Sequence, residues 1–127
     1  MFLGTVANTA IAAGTTEVFQ PLWDNTAAIT LNMSFSNGRV TSTGSVQGRT
    51  GTTAITATFT LERQNANGTF SVVDTWTASN GTIPLHLASS RVTSNQTAGT
   101  FRLSVVASVT RSGTTEVARN SHTMTLR

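Results

Sequence analysis

The chain predicts an all-β, seven-stranded Greek-key β-sandwich. Three observations predict it. Apolar and polar residues alternate over seven short stretches, Gly- or Asn-bearing turns separate most of them, and no segment carries a helical period. Threonine adds to the case. The chain holds 26 of them, and a β-branched side chain suits a pleated, half-solvated strand face.

The elements follow in order. Ala28 to Phe35 sets Ile29, Leu31, Met33 and Phe35 on one face and Thr30, Asn32 and Ser34 on the other. Asn37-Gly38 then marks a hairpin, because a type I′ turn needs positive φ at both central positions. The return strand, Val40 to Gln47, is rich in small residues. Thr53 to Arg63 is the clearest strand, with Ile55, Ala57, Phe59 and Leu61 inward. Asn65 to Thr69 turns the chain into Phe70 to Ala78, which carries Trp76. Ser79-Asn80-Gly81 turns again. Ile83, Leu85 and Leu87 line a fifth strand, and Pro84 within it marks an edge, since proline cannot donate to a ladder.

A polar loop from Ala88 to Gly99 is expected next, long enough to cross between sheets. Phe101, Leu103, Val105, Ala107 and Val109 point inward from the sixth strand. Ser112-Gly113 turns into the last, from about Glu116 to Leu126. Val117 is out of phase with Met124 and Leu126, which predicts a bulge near Arg119 to Ser121. Tight first, third and last connections with one long crossing match the immunoglobulin and fibronectin type III arrangement.

A chain of 127 residues is one domain by size and can bury a core without a staple. It has no cysteine, so no disulfide is available. Residues 1–13, apolar and small and ending Ala10-Ile11-Ala12-Ala13, resemble the later part and cleavage zone of a secretory signal peptide. They are expected to be a signal remnant or an N-terminal arm, with 14–127 as the β-domain. Only 10% of residues are charged, against about a quarter in ordinary domains. A Thr-rich surface without lysine reads as extracellular. The stretch at the start is too short for a transmembrane segment. The pI near 11.5 reflects arginine alone. Arg39, Arg49, Arg63, Arg91, Arg102, Arg111, Arg119 and Arg127 are scattered singly, whereas nucleic-acid binders cluster such residues. Nucleic acid is therefore not an expected partner.

The run Phe101-Arg102-Leu103-Ser104-Val105-Val106-Ala107 resembles the F strand of fibronectin type III domains, although Phe101 lacks the hydroxyl of the tyrosine usual there. Residues 23–126 are more broadly similar to uncharacterised small secreted domains of Gram-positive, clostridial-type bacteria. The segments Trp23-Asp24-Asn25-Thr26, Gly51-Thr52-Thr53, Thr69 to Trp76, Phe101 to Arg111 and Gly113-Thr114-Thr115-Glu116 carry that likeness. It implies secretion and an Ig-like fold, and supplies no activity.

One internal echo singles out a site. Arg49-Thr50-Gly51-Thr52-Thr53 repeats as Arg111-Ser112-Gly113-Thr114-Thr115. In the predicted topology both turns sit at one end, with Asn80. Arg49, Thr50, Asn80, Arg111 and Ser112 are the candidate ligand-binding residues, since guanidiniums and hydroxyls together read carboxylates, phosphates or sugars. The same residues are also ordinary hairpin chemistry. Trp76 is expected to pack on the core and Trp23 to plug one end, rather than to stack a sugar. His86 and His122 stand apart with no acid at metal-ligand spacing, and the chain carries no G-x-S-x-G elbow and no EF-type calcium loop. No catalytic residue, metal or cofactor is expected.

The expected function is a non-catalytic secreted module that binds an extracellular glycan or protein through its end loops. Two alternatives stand beside it: a self-assembling surface subunit using strand exchange, and a small secreted toxin or bacteriocin.

Overall fold

The structure, a computed structural model, describes residues 23–80 and 86–127. Expectations for residues 1–13 and for Ile83, Pro84 and Leu85 lie outside the described residues. Seven strands run in order: β1 (Thr26–Ser36), β2 (Arg39–Gly48), β3 (Thr52–Gln64), β4 (Phe70–Asn80), β5 (His86–Thr93), β6 (Gly99–Arg111) and β7 (Thr114–Leu126). They form two antiparallel sheets, β1-β2-β5 and β4-β3-β6-β7. The chain changes sheet between β2 and β3, between β4 and β5, and between β5 and β6.

Turn chemistry sets the hairpins. Asn37 and Gly38 both have positive φ, 52° and 76°, as do Ser112 and Gly113, 52° and 78°. Two consecutive left-handed residues make the primed turn whose twist matches the flanking strands. At the third hairpin Asn67 Oδ1 accepts from the Thr69 amide at 3.0 Å and its hydroxyl at 2.6 Å.

Between the sheets lies one hydrophobic cluster, drawn from the inward phase of each ladder. Phe59, Leu61, Phe101, Leu103, Val40, Val46 and Val109 are among its fully buried members. Phe59 is central. Its ring stacks on Trp76 at 5.5 Å between centroids and 15° between planes. Opposite, it fills the space left by Gly44, where an added Cβ would overlap the Phe59 ring and stand 3.2 Å from Leu31. Ser42 is buried in the same row of β2, and its hydroxyl has no partner among the described residues; no feature of the packing accounts for it.

The outer face of the larger sheet explains the threonine content. Thr56, Thr58 and Thr60 of β3 pair with Ser79, Thr77 and Thr75 of β4. Hydroxyls pair across strands, Thr110 with Thr115 at 2.9 Å and Thr100 with Thr125 at 3.0 Å. Each such pair leaves methyls between neighbours and keeps the hydroxyls satisfied.

Two expectations need correction. Residues Ala88 to Thr93 are not loop: β5 runs through Thr93, paired with β2 as far as Val40. The crossing loop is only 94–98, held down by Arg63, whose guanidinium donates to the Thr97 and Ala98 carbonyls at 2.7 and 2.9 Å. The bulge near Arg119 to Ser121 is also absent. The β6–β7 register runs unbroken from Gly99–Leu126 to Arg111–Thr114. Val117 is out of phase because it faces solvent, 53% exposed. The irregularities fall elsewhere, between Thr26 and Ala28, between Thr52 and Ala54, and between Leu61 and Glu62.

The seam between β4 and β5 is polar. Arg91 Nε meets Asp74 Oδ2 at 3.1 Å, Thr93 donates to the same oxygen at 2.7 Å, and Trp76 Nε1 donates to Ser89 Oγ at 3.1 Å. Burial pushes the Asp74 carboxyl pKa up. Hydrogen bonds from Arg91 and Thr93, the Arg91 charge and the Thr75 backbone outweigh that, so it lies below its ordinary 3.8. A carboxylate with a lowered folded pKa stabilises the fold above its unfolded value, and the gain disappears as pH falls through the folded one. Wild type should therefore lose urea stability more steeply than Asp74→Asn as pH falls through and below the ordinary 3.8. Parallel acid limbs for the two proteins would exclude Asp74 as a source.

Candidate functional site

The two R-[ST]-G-T-T turns lie side by side at one end of the molecule. Thr52 of the first is opposite Arg111 of the second across the β3–β6 ladder. Arg111 Nε donates to the Thr50 carbonyl at 2.7 Å, which pins one turn to the other. Gly51 takes the left-handed φ of 98° that the first turn requires. Thr50 and Ser112 are exposed. The structure thus brings four of the five candidate residues into one cluster.

Within that cluster the two arginines differ. Arg49 is spent on the chain itself, its Nε and one terminal nitrogen both donating to the Trp23 carbonyl, at 3.2 and 3.1 Å. Arg111 is tied by Nε alone. Its two terminal nitrogens have no partner among the described residues, so the guanidinium is oriented and still has donors to offer. Asn80 sits at the same end but on β4, opposite Ile55, where its side-chain amide donates to the His86 carbonyl. That bond joins the end of β4 to the start of the described part of β5.

Behind the turns stands a network that the candidate list missed. Glu116, on β7, accepts from three consecutive backbone amides: Asp24 at 2.6 Å, Asn25 at 2.9 Å and Thr26 at 3.1 Å. The Thr26 hydroxyl adds a fourth bond at 3.0 Å. Asn25, buried, returns the tie by donating to the Val109 and Thr114 carbonyls, both at 2.9 Å. The start of β1 is thereby fastened to the β6–β7 hairpin. A signal was present in the sequence. Glu116 shares the inward phase of Ala118, and an acid in an inward phase needs donors.

The tryptophans are structural in their contacts. Trp76 has Phe59 stacked on its ring and the Arg91 guanidinium 5.6 Å from its centroid. Trp23 packs against the core, partly buried. Among the described residues no group of three or more His, Asp or Glu converges as a metal site, and no helix is long and apolar enough to cross a membrane.

No family model matches this chain, and no curated protein matches it. Among solved structures, the solution structure of R. palustris CsgH is similar at 16% identity. The match covers 72% of this chain and 87% of that one, with a TM-score of 0.42. The fold described above rests on the chain's own ladders and not on that likeness.

Proposed function

We propose that the chain is a non-catalytic, secreted Ig- or fibronectin III-like Greek-key module of the Gram-positive type. Its paired turns bind an acidic group on an extracellular glycan or protein. One observation carries the reading: Arg111 is fixed by Nε to the Thr50 carbonyl while its terminal nitrogens stay available. Thr50 and Ser112, both exposed, belong to the same pair of turns. A guanidinium already held in place loses less freedom on binding than a loose one, so its bonds to a carboxylate, sulfate or phosphate yield more affinity. Strand order β1-β2-β5 over β4-β3-β6-β7 supports the fold assignment, and the low charge and absent lysine support the extracellular one.

The test is an array of sialylated and sulfated glycans, read with wild type and Arg111→Gln. Losing charge-assisted hydrogen bonds of about 1.5–3 kcal/mol should weaken binding at least about tenfold. Ser112→Ala should weaken it less. Melting temperatures of both variants report whether the fold is intact. Wild type that binds no acidic glycan or protein, or a folded Arg111→Gln that binds as well, would end this reading.

A further inference from the structure

Among the described residues the two sheets end in four edge strands, and an edge strand presents N–H and C=O groups that another strand can take up. Three of these edges are blunted. In β4 the register jumps, Leu61 facing Asp74 and Glu62 facing Val72, so Val73 is an extra residue. β4 also turns the charged Asp74 inward. β5 carries Arg91 on its inner row, opposite Ser42. β1 has an irregularity at its start and none of the exposed large apolar side chains among the described residues. Bulges, short strands and inward charges are the usual devices against edge pairing.

β7 lacks them. It runs 13 residues in unbroken register and contains no proline and no lysine. Its inward acid, Glu116, is occupied by the amides of residues 24–26. Val117 is 53% and Met124 37% exposed along it. The Ser121 amide donates to the Asn120 side chain at 2.9 Å, on a strand with no partner beyond β6 among the described residues.

We propose that β7 pairs antiparallel with β7 of a second copy of this chain, about a two-fold axis at Asn120. Charge and length select that register. A two-fold antiparallel pair must set one residue opposite itself. Centring on Arg119 would put two guanidiniums face to face, which is unfavourable. Centring on Asn120, the midpoint of Thr114–Leu126, pairs the strand over its full length. Arg119 then faces Ser121 of the second copy, Val117 faces Thr123, and Met124 faces Glu116. No like charges meet, and both exposed apolar side chains gain cover. The Ser121 amide exchanges its bond to Asn120 for a carbonyl of the second copy. The pairing is independent of the turn cluster at the end.

Light scattering of the full chain at concentrations up to about 1 mM, the weak end of specific association, is the test. Wild type should dimerise. Ser121→Arg sets two arginine pairs across the axis and should weaken the dimer at least about tenfold; Ser121→Glu sets two opposite-charge pairs and should tighten it by a similar factor. Arg119→Glu combined with Ser121→Arg should restore it. Residue 121 is exposed on the outer face, so unchanged melting temperatures are expected. The chain has no native cysteine, so Asn120→Cys should cross-link to a dimer on mild oxidation while Val72→Cys on the β4 edge does not. A wild-type monomer throughout would overturn the proposal. So would a dimer indifferent to all three charge variants, or cross-linking by Val72→Cys alone.

Discussion

Phe59→Ala is expected to cost roughly 3–5 kcal/mol, the upper range for a buried aromatic. Three packing relations are lost together. The ring is fully buried, it stacks on Trp76 at 5.5 Å, and it fills the hollow above Gly44. Nothing nearby can collapse into the space: the backbone of β2 is held between β1 and β5 on both sides, and Trp76 is tethered by Ser89 at 3.1 Å. The converse change tests the same fit. Gly44→Ala pushes a methyl into that ring and should cost about 1–3 kcal/mol by overpacking. Urea denaturation with an unchanged m-value reads both. A Phe59→Ala cost under about 1 kcal/mol would mean that the inward phase of β3 is misassigned, because a slip of one residue inverts every side chain.

Glu116→Ala is expected to cost roughly 2–4 kcal/mol although the residue is only half-buried. The carboxylate accepts from three backbone amides in a row and from the hydroxyl of Thr26, a buried residue. Water can reach Asp24 and replaces part of the loss there, which keeps the figure below the sum of four charged bonds. Glu116→Gln should recover only part of the loss, since one carboxamide oxygen cannot serve all four donors. Asn25→Ala should couple to Glu116→Ala in a double-mutant cycle, as both fasten the same segment. A cost for Glu116→Ala within about 0.5 kcal/mol of zero, as for an ordinary surface residue, would exclude the fastening role.

Six of the strands were legible because their inward rows are apolar and their turns carry Asn or Gly. β5 shows where that signal stops. Its described inner row is Leu87, Ser89, Arg91 and Thr93, and three of those look like loop chemistry until Asp74 and Trp76 are seen opposite them. Partners from another sheet cannot be read from local alternation. β7 shows the reverse error. Val117 broke an expected pattern, and a bulge was inferred where an exposed edge strand simply turns an apolar side chain to solvent. The meeting of the two turns was legible from their repeated sequence, given the topology. That Arg49 is consumed by the Trp23 carbonyl and Arg111 is not was beyond reach, because it depends on where the chain enters β1. The fourfold duty of Glu116 depends on the same entry.

That entry also sets how the module would answer mechanical load. A pull on the chain ahead of Trp23 reaches Arg49, Glu116 and Asn25 before the first rung of the β1–β2 ladder at Thr26. The amides of residues 24–26 all bond the Glu116 carboxylate, so such a pull meets three charge-assisted bonds there. Forced unfolding follows the unfolding rate rather than the equilibrium stability. A clamp outside the hydrophobic core is therefore expected to add to the barrier met by a pull from this end.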